Sequence, residues 1–235
     1  MHVNEIMEDS DNYYIVTEIL EGGELFDRII EVKKFNELNA AHILEQVLKA
    51  INYMHKKNLT HRDLKPENIL LESKDMDKLD VKIADFGFSC IYDPEEGLDL
   101  VLGSPLYMAP EIIQNKVYNE KVDIWSIGVI TYMLLSGSNP FPGQSKEKVK
   151  EMIVNSRELI ERNLAGKRFQ HVSANAKDFI TKCLTKDAAQ RWSAEQLLSH
   201  KWMVEKMAET HEDIPEDVQK DIMNNLSQFS NATKF

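Results

Sequence analysis

Apolar residues recur along most of this chain with the spacing of helices. Within residues 37–56 they fall at Ile43, Leu44, Val47, Leu48, Ile51 and Met54, which is one face of a helix with 3.6 residues per turn, so burial of that face is expected. Residues 122–135 (VDIWSIGVITYMLL) are apolar on every side and carry a single charge. A segment that short cannot cross a bilayer, which takes about 20 apolar residues, and one that uniform does not suit a surface, so a central buried helix is expected. Three more helices are expected at roughly 145–160, 174–184 and 193–203, the last two opened by Ser173 and Ser193 as N-caps. Strand signals are sparse. Residues 13–19 (YYIVTEI) are rich in β-branched and aromatic types, and residues 69–71 and 81–83 (ILL, VKI) flank a polar turn as the arms of a hairpin would. There is no internal repeat or low-complexity run. After about Trp202 the chain turns polar and acidic, and the packed domain is expected to end there.

Composition narrows the classes of function. The 235 residues are 43% hydrophobic, enough for a sizeable core. With 39 acidic against 28 basic residues the net charge is −11, which offers no positive field to nucleic acid or anionic lipid, so no nucleic-acid partner is expected. Cys90 and Cys183 stand far apart without metal-ligand spacing, which suits a reducing, cytoplasmic location. The N-terminus has neither the basic start nor the apolar core of a signal peptide, and no stretch is long enough for a membrane span.

The chemistry is concentrated in three strings: HRDLKPEN at 61–68, DFG at 85–87 and APE at 109–111. Phosphoryl transfer needs a group to orient the attacking hydroxyl, a cation near the transferred phosphate, and oxygen ligands for magnesium; Asp63, Lys65, Asn68 and Asp85 are of those types. With these strings in this order, the sequence resembles the eukaryotic protein kinase family over residues 1 to about 204. The resemblance implies an α+β, protein-kinase-like fold: a remnant of the small-lobe β-sheet at 1–19, a hinge and mostly helical large lobe at 20–204, and a regulatory or junction tail at 205–235. It implies ATP and Mg2+ as cofactors, Asp63 and Lys65 as the catalytic pair, and Asn68 with Asp85 as metal ligands. Lys65 together with GSP at 103–105 is similar to serine/threonine rather than tyrosine kinases, with Ser104 contacting Asp63 and Lys65. Asp123 would hold the backbone around Arg62 in the HRD string, and Glu111 would form a buried ion pair with Arg191. In YYIVTEILEGGELFD, Thr17 would sit behind the adenine, Glu18 and Leu20 would meet its edge, Glu24 would reach the ribose or a substrate Arg, and Leu70 would floor the pocket.

The same resemblance shows what the string does not contain. There is no G-x-G-x-x-G loop and no V-A-I-K lysine before residue 13. Loss of one preorganised donor costs about 3–4 kcal/mol, so a fragment with little activity of its own is expected, with Ile15 and Ile19 left on an uncovered sheet edge. The alternative is a pseudokinase-like docking module, although scaffolding has no need of Asp63, Asn68 and Asp85. EGGELFDRII, GSPLYMAPE and the run from 176 to 203 are similar to the calcium/calmodulin-dependent branch, and the tail to the junction of calcium-dependent protein kinases. Calmodulin, or EF-hands outside the chain, are the implied regulators, since no calcium loop is present. Residues 215–229 are expected to form an amphipathic regulatory helix, opened by Pro215 with Glu216 and Asp217 and apolar at Val218, Ile222, Leu226 and Phe229. The usual loop phosphorylation position is Leu100, so Glu95, Glu96 and Asp99 are expected to pair with Arg62 in place of a phosphate. Glu24 and Glu67 would favour protein substrates with a basic residue upstream of the target hydroxyl.

Overall fold

The structure is a computed structural model that describes residues 1–32, 36–75, 78–209 and 216–233. It is α+β with helices dominant, and its three described sheets are each a two-stranded antiparallel ladder. The first pairs β1 (Val3–Glu8) with β2 (Tyr13–Thr17) across a turn in which the Asp9 carboxylate accepts the amides of Asp11 and Asn12, each at 2.8 Å. β1 (VNEIME) carries no strand signal in the sequence, because Asn and Glu dilute its apolar alternation; backbone pairing with β2 makes it a strand. Every β1 residue is exposed, as are Ile15 of β2 at 63% and Ile19 just beyond it at 81%, so this ladder has no apolar cover among the described residues.

The body begins with α1 (Leu25–Val32) and α2 (Glu37–His55). All six apolar positions read as one face of α2 are buried, and the Asn36 side chain caps the helix by accepting the Asn39 amide. Next come β3 (Leu59–Thr60), β4 (Ile69–Leu71), β5 (Val81–Ile83) and β6 (Cys90–Ile91); β3 pairs with β6 and β4 with β5, the latter pair as the polar turn between them implies. The short α3 (Pro110–Ile113) precedes α4 (Lys121–Ser136), whose residues from Val122 onward are all buried. α4 is the axis of the core, packed between α2 and α7 (Ala174–Cys183), and it stops at Gly137, which takes a left-handed φ of 67° and donates to the Met133 carbonyl.

Two expected helices are each broken in two. Residues 145–160 form α5 (Lys146–Val154) and α6 (Ser156–Leu164), because the Asn155 side-chain amide donates to the Glu151 carbonyl and competes with the helical ladder. Residues 193–203 form α8 (Ala194–Leu198) and α9 (Lys201–Ala208), because His200 leaves the helix and caps the next one, its Nδ1 accepting the Trp202 amide at 3.1 Å. The Ser173 and Ser193 caps both form, the latter as a full capping box with Gln196. Buried Glu37 ties the start of α2 to α7 and α9: its carboxylate accepts the Ser173 amide and hydroxyl at 2.6 and 2.8 Å and the Trp202 indole at 2.8 Å. Finally α10 (Glu216–Thr233) packs back on α1 and the end of α4, burying Ile222 and Leu226. The side chains of Val218 and Phe229, and Pro215 altogether, lie outside the described residues.

Candidate active site

The stretch from His61 to Asn68 joins β3 to β4 with a single 3-10 turn at Pro66–Asn68, so its charged side chains are only as well placed as its backbone is held. Asp123 of α4 holds it. The carboxylate is 1% exposed and accepts the amides of His61 and Arg62 at 2.9 Å each, with His55 Nε2 a further 2.9 Å away. Those partners offset the cost of a charge in an apolar helix and keep Arg62 in the left-handed region at φ 70°.

Asp63 is the meeting point. Its Oδ1 accepts both the amide and the hydroxyl of Ser104, each at 2.8 Å, while Oδ2 lies 2.9 Å from Lys65 Nζ. Asn68 donates from its side-chain amide to the Asp63 carbonyl at 2.8 Å, and the turn Pro66–Asn68 sets that reach. Burial pulls the Lys65 ammonium down, but the hydrogen bond and charge of Asp63, with Glu67 and Asp85 behind it, outweigh burial and leave its pKa raised. Lys65 is therefore a fixed positive charge. The Asn68 carbonyl accepts the Ala84 amide at 2.9 Å, extending the β4–β5 pairing so that Asp85 follows directly beside Asn68. Asp85 is exposed at a left-handed φ of 57° and accepts the Gly87 amide. The structure thus brings Asp63, Lys65, Asn68, Asp85 and Ser104 into one neighbourhood, with Glu67 exposed beside Lys65.

The segment leaving β2 runs along β4. Glu24 bridges to Leu70, and Gly22 and Gly23 exchange backbone hydrogen bonds with Leu71, each at 3.0 Å, so this segment is stitched to β4. Thr17, Leu20 and Leu70 are half-buried there. The Glu18 carboxylate turns to Lys82 of β5, at 2.8 and 2.9 Å. Farther off, Arg191 meets Glu111 in a two-pronged buried pair at 2.7 and 3.0 Å and donates to the carbonyls of Thr185, Lys121 and Lys186, locking α3 to the ends of α4 and α7.

One expectation is corrected. Among the described residues no ion pair joins Arg62 to Glu95, Glu96 or Asp99; its Nε donates instead to the Phe88 carbonyl at 2.6 Å. A carbonyl already within reach is a cheaper partner than carboxylates held out in solvent, whose ion pairs are worth little. Sequence reasoning also passes over His55, Lys82 and Tyr118, none of which belongs to the three strings; only Lys82, a lone charge between the apolar positions of β5, carries a signal of its own.

Chemically, the site offers a buried carboxylate beside a fixed ammonium, and a side-chain amide oxygen near an exposed carboxylate. Two hard oxygen donors suit magnesium, which keeps several waters and is shared with substrate phosphates; they are too few for a dedicated calcium cage.

Residues 1–203 match the protein kinase domain family. The whole chain aligns at 40% identity with calcium-dependent protein kinase 4 of Plasmodium falciparum, covering 43% of that protein. It is 42% identical over 92% of its length to the calcium/calmodulin-dependent protein kinase cmkA of Emericella nidulans, 51% of which is covered. Myosin light chain kinase A of Dictyostelium discoideum is 41% identical over 86% of the chain, with 66% of that protein covered. The chain therefore spans between two fifths and two thirds of the length of these curated relatives.

Proposed function

The chain belongs to the protein kinase family, and from that premise we propose that it carries the phosphoryl-transfer part of a serine/threonine kinase of the calcium-regulated type. The observation that carries this reading is the surroundings of Asp63. Its Oδ1 already receives a serine hydroxyl, that of Ser104 at 2.8 Å, and so displays the hydrogen bond by which a substrate hydroxyl would be oriented. Lys65, 2.9 Å from the other oxygen, keeps positive charge where phosphate charge would gather. Asn68 and Asp85 are the residues that would hold magnesium, which when bound with ATP neutralises the phosphates. Thr17, Glu18, Leu20, Glu24 and Leu70 would receive the nucleotide, and Glu24 and Glu67 an upstream basic residue of the protein substrate. The calcium-dependent names among the relatives, and the seating of α10 on α1 and α4, support a calcium sensor, calmodulin or EF-hands, as the partner that captures α10 in the cytoplasm. The sequence holds no G-x-G-x-x-G string to cover the ATP phosphates, which supports a low transfer rate for the chain by itself.

The test joins this chain to the phosphate-covering strands of a calcium-dependent relative and follows phosphate transfer to a serine peptide with Arg three positions upstream. Asp63→Asn is expected to lower the rate by about 10²- to 10⁴-fold with the melting temperature unchanged. Activity close to the parent would sink the assignment.

A further inference from the structure

The segment that reaches Asp63 through Ser104 is tied down at a second place, about which the three motif strings say nothing. Leu98 and Tyr118 form an isolated antiparallel bridge, each amide donating to the other's carbonyl at 2.8 Å. The Tyr118 hydroxyl then donates to the Leu100 carbonyl at 2.7 Å, so one residue grips the segment at three main-chain groups. The tyrosine is only 4% exposed, which keeps water from competing for these bonds. The approach is close enough to require glycine at 97: its φ is 74°, and a Cβ there would lie 2.5 Å from Val117 Cγ1 and 3.0 Å from the Tyr118 carbonyl. Seven residues of chain are thus held at both ends, because Gly103 sits against the Arg62 carbonyl, where a Cβ would come within 2.5 Å, and Ser104 is on Asp63. Between the two anchors, Leu100 and Val101 are exposed at 59% and 44% and make no comparable attachment of their own side chains.

We propose that Tyr118 is a positioning residue for protein-substrate phosphorylation: with Gly97 it forms a neutral clasp that fixes residues 97–104 on the helical body and so keeps Ser104 on Asp63 and the peptide-docking surface assembled. The proposal rests on the kinase reading above and extends it to regulation, since a segment held at one end by the uncharged bonds of Tyr118 and at the other by Ser104 on the Asp63 carboxylate has no need of a phosphate to order it. It also accounts for the acidic residues Glu95, Glu96 and Asp99 standing away from Arg62. Burial raises the Tyr118 phenol pKa, with the Arg62 guanidinium beside it offsetting part of the rise, so the hydroxyl remains a donor across the neutral range.

The test compares this chain with its Tyr118→Phe variant, which removes the hydroxyl and keeps the ring, and with Gly97→Ala, which opens the clasp and leaves Tyr118 intact. Hydrogen exchange at the Leu98 and Tyr118 amides is read together with the affinity of a fluorescent serine peptide bearing Arg three positions upstream. Both variants are expected to exchange at those amides about tenfold faster and to bind the peptide about three- to tenfold more weakly, at an unchanged melting temperature. Unchanged exchange in Tyr118→Phe overturns the clasp, and faster exchange with unchanged peptide affinity overturns its positioning role. If the unmodified chain does not bind the peptide, the substrate reading of the previous subsection falls instead, and exchange alone decides the clasp.

Discussion

Cys183 is fully enclosed in α7, and burial raises its pKa well above the ordinary thiol value against a smaller opposing pull from Arg191. A thiol in that state presents no thiolate at neutral pH, whereas Cys90 at the end of β6 is partly exposed. Titration of the native chain with a thiol reagent is expected to consume one fast equivalent, at Cys90, and a second only after unfolding; two fast thiols would show that α7 is not packed as described. The same contrast between a residue's type and its surroundings governs what was legible at this scale. Asp63, Lys65, Asn68 and Asp85 could be singled out because their chemistry and their order along the chain coincide. His55 and Tyr118 could not, because what makes them structural is a partner far off in sequence, Asp123 in one case and the carbonyl groups of Leu98 and Leu100 in the other. A backbone carbonyl leaves no trace in a sequence.

Elements were legible where periodicity alone decides them. The buried face of α2 and the all-round apolarity of α4 follow from spacing, and α10 extends over Glu216–Thr233 where residues 215–229 were expected. The two broken helices were not legible, since Asn155 and His200 are tolerable helix residues until a side-chain bond to the Glu151 carbonyl, or to the Trp202 amide, makes the break worth more than the lost turn. α10 has a contact that no periodicity could reveal: a Cβ on Gly137 would stand 2.5 Å from the Ile222 carbonyl and 2.8 Å from Asn225 Cβ. Gly137→Ala is therefore expected to unseat α10 while the rest of the body stays folded, seen as faster tryptic cleavage at Lys220 with α2 and α4 still protected. Leu226, with no exposed surface, gives the complementary change: truncation to Ala should cost about 2–5 kcal/mol of α10 docking. An α10 that stays protected in Gly137→Ala would contradict the close approach.

For the molecule as a whole, the helical body is self-sufficient and the β1–β2 hairpin is not. The hairpin leans on the body through the Lys82–Glu18 ion pair, and Tyr13, Ile6 and Ile15 are 74%, 67% and 63% exposed. In that pair the Lys82 pKa is raised chiefly by its hydrogen bond to Glu18, and that of Glu18 is lowered chiefly by the same bond. The contribution of Glu18 is present above its ordinary value of 4.5 and is lost as pH falls through the lowered folded value; that of Lys82 is present below its ordinary 10.5 and is lost as pH rises through the raised one. Across neutral pH the tether holds, but both partners are too exposed for it to hide apolar strands. The isolated chain is expected to self-associate through the hairpin, and Ile15→Lys to suppress this in sedimentation velocity. Concentration-independent monomers of the unmodified chain would refute it. The expectation of exposed apolar positions at Ile15 and Ile19 came from sequence, whereas β1, which pairs with Ile15, did not.

The central position of α4 has a cost in time as well as space. A ribosome releases its apolar surface before α7, one of the elements that cover it, has been made, and at about 5–20 residues per second that interval lasts several seconds. Meanwhile α2 shields one side only. A nascent chain halted between α6 and α7 should be gripped there by a chaperone and let go once α7 follows, so the delay is written into the order of the helices and no substitution within α4 shortens it.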